Sequence, residues 1–264
     1  MVQVMLVGLV AIMIYMTIIW LISLPLKNSS IVDIFWGPGF VLAAWVYFAL
    51  TPAGFEPRKL LISSLVTIWG LRLAWHIGRR NLGHEEDYRY KAWRVSNGSI
   101  WWWKSFFQVF ALQGFLLWII STPLMMAQFA PEPANLILFD GLGVIIWLIG
   151  FLFEAVGDWQ LTHFKVDVAN KGKVMRTGLW RYTRHPNYFG DATLWWGYFL
   201  IALSVPNGFI SIFSPILMTF MLMRVSGVAM LEQNLKKTKP EYADYIASTN
   251  AFFPGSPHDK PDVK

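Results

Sequence analysis

Apolar residues in this chain come in long runs. Seven stretches approach the roughly 20 residues that span a bilayer, at about 2–24, 31–50, 59–78, 105–127, 137–157, 189–204 and 209–231. The sixth is short, and Gly37-Pro38-Gly39 interrupts the second. Runs of this length predict an all-α integral membrane protein of about seven transmembrane helices. Trp101-Trp102-Trp103 and Trp195-Trp196 stand near span ends, where aromatic rings anchor at the membrane–water interface. The start, Met1-Val2-Gln3, leads into the first run without a basic segment, so that span reads as retained rather than cleaved. One membrane domain is expected over 1–254. The tail that follows, 255–264, holds Pro, Asp and Lys and is expected to be flexible.

Composition agrees with this class: 55% of residues are hydrophobic and 14% charged, against about a quarter charged in soluble domains. The basic residues are not scattered. The 78–104 connection holds Arg79, Arg80, Arg89, Lys91, Arg94 and Lys104, and the 158–188 connection holds Lys165, Lys171, Lys173, Arg176, Arg181 and Arg184. The C-terminal end adds Lys236, Lys237, Lys239, Lys260 and Lys264, whereas the opposite loops offer only Arg58 and Lys59. Basic loops stay in the cytoplasm, so the N-terminus is expected outside and the C-terminus inside. The net charge of +6 is then an orientation signal, and no nucleic-acid module accompanies it. The chain has no cysteine, which excludes disulfides, Cys-ligated metal and thiol catalysis.

Several ionisable residues fall within or beside the spans: Asp33, Arg72, His76, Glu154, Asp158, Asp191, Arg224 and Glu232. All lie at the expected cytoplasmic ends. Charge inside a membrane is costly, so it pairs or lines a wet cavity; one cytoplasm-facing cavity is the economical reading. The densest group is Thr183-Arg184-His185-Pro186-Asn187-Tyr188-Phe189-Gly190-Asp191. Pro186 suits the first position of a helix, and Asn187 and Asp191 then share a face. Arg72, Lys165, Arg181, Arg184 and Arg224 suit phosphate. Glu154, Asp158, Asn187 and Asp191 suit hydroxyls, amides or amines. Together they suggest a nucleotide. Neither a Rossmann glycine fingerprint nor a phosphate loop is present. His84-Glu85-Glu86-Asp87 reads as a charged loop rather than a cation site, so no metal is expected.

The segment Gly178-Leu179-Trp180-Arg181-Tyr182-Thr183-Arg184-His185-Pro186-Asn187-Tyr188-Phe189-Gly190-Asp191 resembles the C-terminal signature of the steroid 5α-reductase and sterol reductase superfamily, nearest to its bacterial branch. Glu154-Ala155-Val156-Gly157-Asp158-Trp159-Gln160 to Lys165, Pro240-Glu241-Tyr242-Ala243-Asp244-Tyr245 and Phe252-Phe253-Pro254 extend the resemblance over roughly 145–254. Asp33-Ile34-Phe35-Trp36-Gly37, Leu71-Arg72-Leu73 and Arg79-Arg80-Asn81 extend it more loosely over 31–100.

The resemblance implies a seven-helix fold in the bilayer, in a bacterial inner membrane, holding NADPH. It implies hydride transfer to a carbon–carbon double bond of a steroid-like, sterol or isoprenoid substrate. By motif position, Asn187 and Asp191 would contact the nicotinamide, and Glu154, Asp158 and Lys165 the nucleotide. Arg72, Arg181, Tyr182, Arg184, His185, Arg224 and Tyr242 would line the same pocket. Where such reductases place an acidic Tyr, this chain has Trp69, whose indole donates a hydrogen bond but is no proton donor at neutral pH. Asp33 is therefore the candidate acid or its support, since a carboxyl in an apolar site can hold a proton. Tyr88, Tyr90 and Tyr188 are further donors. Arg184-His185-Pro186-Asn187-Tyr188 equally resembles the signature of isoprenylcysteine carboxyl and phospholipid methyltransferases, which bind S-adenosylmethionine. In those the pattern favours Glu-Glu where this chain has Glu232-Gln233. A transporter or lipid-binding protein is the remaining alternative; no convincing internal repeat supports it.

Overall fold

Uninterrupted apolar sequence leaves the backbone no partner in lipid except itself, so it folds as helices. A computed structural model describes residues 1–225 and 227–258. Among them there is no strand. The helices are α1 (Val2–Leu26), α2 (Val32–Leu50), α3 (Glu56–Asn81), α4 (Tyr88–Asn97), α5 (Trp101–Ser105), α6 (Leu112–Ile120), α7 (Thr122–Phe129), α8 (Leu138–Val166), α9 (Pro186–Ala202), α10 (Phe213–Phe220), α11 (Val228–Thr238) and α12 (Tyr242–Ser248). Phe106–Ala111 and Met221–Val225 are π-helical turns.

Among the described residues six segments are long and apolar enough to cross a membrane: Val2–Leu26, Ser29–Leu50, Glu56–Asn81, Tyr88–Phe129, Leu138–Val166 and Gly208–Val225. The protein is an all-α integral membrane protein, and the count is close to the seven expected. The seventh expected span, α9, has 17 residues, about 25 Å at 1.5 Å per residue, at the short end of the range that crosses a bilayer.

Three boundaries differ from the sequence reading. Gly37-Pro38-Gly39 does not interrupt its span, since α2 runs straight through Pro38. The glycines there serve helix packing: a Cβ on Gly37 would lie 2.5 Å from the Gly70 carbonyl oxygen of α3. The span expected over 209–231 ends at Val225, and α11 starts anew after Gly227, where a Cβ would meet the Leu222 carbonyl at 2.0 Å. The expected flexible tail is tied down at its start: the Gly255 amide donates to the Tyr182 carbonyl at 3.0 Å and the His258 amide to Ser248 at 2.9 Å. Residues 259–264, with Lys260 and Lys264, lie outside the described residues.

The chain divides into two compact units, 1–140 with 201–214 and 141–200 with 215–264. In the first unit α2 and α3 pack antiparallel through Gly37 and Gly70. Arg58 and Asp140, 0% and 1% exposed, pair at 2.8 Å. The second unit is built on α8 and α9. Gly143, Gly150 and Gly157 recur every seven residues on α8, and Gly190 and Gly197 on α9. A Cβ on Gly150 would lie 2.5 Å from the Leu194 amide nitrogen, one on Gly190 2.3 Å from that of Glu154, and one on Gly197 2.7 Å from that of Trp147. Small residues let membrane helices approach backbone to backbone. Because the contact runs from Gly157 beside Asn187 to Gly143 beside Gly197, the two helices are antiparallel.

Candidate functional site

The glycine seam decides which polar groups meet. Glu154 and Asp158, one turn apart on α8, are 3% and 5% exposed. Gly157, between them, faces the start of α9. There the Asn187 side-chain amide donates to Asp158 Oδ1 at 2.9 Å, while Asn187 Oδ1 accepts the Tyr188 amide at 3.0 Å. Glu154 and Asp191 both act electrostatically on the fully buried Tyr198. Four of the residues expected at a nucleotide, Glu154, Asp158, Asn187 and Asp191, thus gather along one interface. The α8 helix extends beyond the span expected for it and carries Lys165 as well. Glu154, Asp158 and Lys165 are four and seven residues apart, one stripe of a helix.

Lys165 lines a second feature, a pocket of ≈ 100 Å³ formed by Leu161, Lys165, Val174, Met175, Trp180, Arg184, His185, Leu231, Leu235, Lys239, Tyr242 and Tyr245. Four residues expected at the cofactor, Lys165, Arg184, His185 and Tyr242, come together here. Arg184 is largely used by the protein: Nε donates to Glu232 Oε1 at 2.8 Å, Nη1 to the Ile246 and Thr249 carbonyls, and its amide to Asn250 O. The Thr183 hydroxyl donates to Phe252 O at 2.8 Å, and the Tyr245 hydroxyl to Trp180 O. The C-terminal segment therefore holds the entrance to α9 in place. Trp180 Nε1 donates to Gly157 O at 3.1 Å, which ties this loop to the seam.

Glu232 is the residue the sequence argument undervalued. His185 Nε2 lies 3.2 Å from the same Oε1 that Arg184 contacts. Burial alone would raise the Glu232 pKa, but hydrogen bonds from His185 and Arg184, with the Arg184 charge, bring it down to about 2. Burial lowers the His185 pKa, and Glu232 opposes that only in part. Burial likewise raises the hydroxyls of Tyr242 and Tyr245. The signal available in the sequence was the spacing of Glu232 from an expected cytoplasmic cluster, which carries no contact information.

The remaining expected residues are placed as follows. Arg181 and Tyr182 are exposed, and Arg181 lines a surface hollow with Arg176, Thr177, Ser248 and Thr249. Arg224 is exposed on the π-helical turn ending the last span. Tyr188 stacks on His185, ring centroids 5.6 Å apart. In the first unit Trp69 is fully buried and packs against Phe40 at 5.7 Å, and Arg72 is half-buried on α3. Asp33 accepts from the Tyr90 hydroxyl at 2.7 Å and from Arg89 Nη2 at 3.2 Å, and the Gln113 amide donates to that hydroxyl at 3.3 Å. Of the tyrosines considered, Tyr90 is thus the one hydrogen-bonded to Asp33, while Tyr88 is exposed. In the charged loop Glu85 pairs with Lys91, Glu86 with Arg94 and Asp87 with Arg89. Among the described residues no metal-binding cluster occurs.

Such a molecule is a polytopic helical membrane protein with a carboxylate–amide cluster beside a cation-lined pocket. It belongs to the DUF1295 family, described as a protein of unknown function, whose model matches residues 19–249. The chain is 26% identical over 219 residues to an uncharacterized protein of Schizosaccharomyces pombe, covering 74% of this chain and 63% of that protein. It is 32% identical over 72 residues to 3-oxo-5-alpha-steroid 4-dehydrogenase 1 of Bos taurus, covering 27% of this chain and 28% of the bovine protein. The chain thus spans less than two thirds of the length of each of these relatives. No solved structure matches it.

Proposed function

We propose that this protein is a membrane-embedded, NADPH-dependent reductase that transfers hydride to a carbon–carbon double bond of a lipophilic substrate, steroid-like, sterol or isoprenoid. The observation that carries this reading is the Asp158–Asn187 hydrogen bond, formed on the glycine seam beside Glu154 and Asp191. The similarity to the bovine steroid dehydrogenase over 72 residues points the same way.

The donor set fits the cofactor. An amide and carboxylates at one end of the α8 stripe suit a carboxamide, which both donates and accepts. Lys165 and Lys239 at the pocket suit phosphate. When bound, NADPH supplies the hydride. Asp158 holds the Asn187 side chain in one orientation, and Asp191 adds an acceptor one turn further on. The alkene needs a proton as well as a hydride. Within the first unit the Tyr90 hydroxyl is fixed between Asp33 and Gln113. The apolar flanks of the spans admit a substrate from lipid.

One observation favours a second reading, an S-adenosylmethionine-dependent methyltransferase: Arg184 and His185 both contact Glu232, which brings the Arg184-His185-Pro186 signature together with the downstream Glu232-Gln233. Equilibrium binding in detergent separates the two. NADPH should bind at least about tenfold more tightly than NADH, the weight of one charge-assisted phosphate contact, and Lys165→Ala should erase that preference. Asn187→Ala and Asp191→Ala should weaken NADPH binding by about tenfold or more in a folded, membrane-inserted protein. Binding of S-adenosylmethionine without NADPH overturns the reductase reading.

A further inference from the structure

One face of α3 packs on α2 through Gly70 and Gly37. On another face Ser64, Ile68, Leu71, Trp75 and Arg79 are all exposed. Their spacing of four, three, four and four residues makes them one stripe along the helix. Trp75 is 68% exposed, and the Arg79 guanidinium lies over its ring, 5.6 Å from the centroid. The α3 helix has 26 residues, about 39 Å at 1.5 Å per residue, more than the roughly 30 Å of hydrocarbon. Its last turn, with Arg79, therefore reaches the headgroup layer, and Ile68 and Leu71 face acyl chains.

The carboxylates that follow α3 are already engaged: Glu85 with Lys91, Glu86 with Arg94 and Asp87 with Arg89. Among the described residues no ion pair reaches Arg79. A guanidinium presents a fork of N–H donors that matches phosphate oxygens, and an indole adds one more donor. Single exposed apolar residues need no explanation. A stripe of them that ends in an interfacial ring and then an unpaired guanidinium follows the order of groups in a phospholipid: chain, glycerol ester, phosphate.

We propose that this face of α3 binds an anionic phospholipid, with an acyl chain along Ile68 and Leu71, the glycerol region at Trp75 and the phosphate on Arg79. Charge selects the headgroup. An anionic lipid brings its phosphate without a cation, whereas Arg79 repels the ammonium of a choline lipid. The site lies wholly in the first unit and shares no residue with the proposed cofactor set.

Dioleoyl phosphatidylglycerol and dioleoyl phosphatidylcholine test it, because their chains are identical. The full-length protein in detergent is titrated with each, and bound lipid is counted by native mass spectrometry. Phosphatidylglycerol should bind about fivefold more tightly, the weight of one basic residue at an anionic headgroup. Arg79→Gln should remove the preference, and Trp75→Ala should weaken both lipids. Lys171→Gln, at an exposed cation outside the stripe, should leave the preference intact. All three positions are exposed, so the variants leave the packed core untouched. Equal binding of the two lipids by the unmodified protein overturns the site. So does a preference that survives Arg79→Gln, or one that falls as far in Lys171→Gln, the mark of diffuse charge. A dimer in the micelle that Trp75→Ala splits into monomers would assign the face to a second copy and overturn the lipid site.

Discussion

Arg184 illustrates how one residue can serve folding and a site together. Its guanidinium reaches Glu232 and the carbonyls of Ile246 and Thr249, so it locks the entrance of α9 to the C-terminal segment while lining the pocket. Its partner Glu232 has a measurable consequence. A carboxyl brought from 4.5 to about 2 by folding is stabilising in its ionised form. That stability is present in full above the unfolded value and is lost as pH falls through the folded one. Thermal melts in detergent should therefore decline from pH 4.5 toward 2. In Glu232→Gln this part of the decline should vanish, from a lower starting Tm at neutral pH. A wild-type Tm that stays level between about pH 4.5 and 3 would contradict the pairing.

At the scale of elements, the antiparallel contact of α8 and α9 is set by glycine. The atoms a Gly190 side chain would meet are the Glu154 nitrogen at 2.3 Å and the Gly150 oxygen at 2.5 Å. Both are backbone, so no side chain can swing aside. Gly190→Val should cost at least about 1–3 kcal/mol, as overpacking does, and should separate Asp158 from Asn187. Gly141, on α8, has nothing within 4 Å of its notional Cβ. Gly141→Ala should leave stability unchanged or raise it by up to about 1 kcal/mol through helix propensity. Melting and NADPH binding of the two variants, side by side, check the seam; a Gly190→Val protein that melts as wild type would refute it.

For the molecule as a whole, burial sharpens the charge asymmetry. Arg58 and Lys59 were the two basic residues assigned to the outer side. Arg58 is paired with Asp140, and Lys59 donates to the Thr51 carbonyl at 2.7 Å and lies over Phe48. Neither is a solvated loop charge. Among the described residues, Arg79, Arg80, Lys91, Lys171, Lys173, Arg181 and Lys236 are exposed in the 78–104 and 158–188 segments and the C-terminal end, and from the retention of basic loops in the cytoplasm we propose an outside N-terminus and an inside C-terminus. The chain has no cysteine of its own, so single cysteines report cleanly. In intact cells Ala134→Cys should react with an impermeant thiol reagent and Lys171→Cys should not. The reverse pattern would invert the topology.

What the sequence determined by itself is what depends on local composition. Apolar run length settles the all-α membrane class. Pro186 starts α9, and the four-residue spacing of Asn187 and Asp191 puts them on one face, because helix geometry is fixed by the backbone. The seven-residue spacing of Gly143, Gly150 and Gly157 was legible too, although its partner helix was not. The tertiary structure alone decided the pairings: Asp158 with Asn187 across 29 residues, His185 with Glu232 across 47, and Tyr90 with Asp33 across 57. It also decided that α2 continues through Pro38 while the last span stops before Gly227. Periodicity describes which face of a helix is polar, and it carries no record of which other face will be packed against it. That choice belongs to steric fit between backbones, and here the atoms that make it are glycine hydrogens and carbonyl oxygens far apart in the chain.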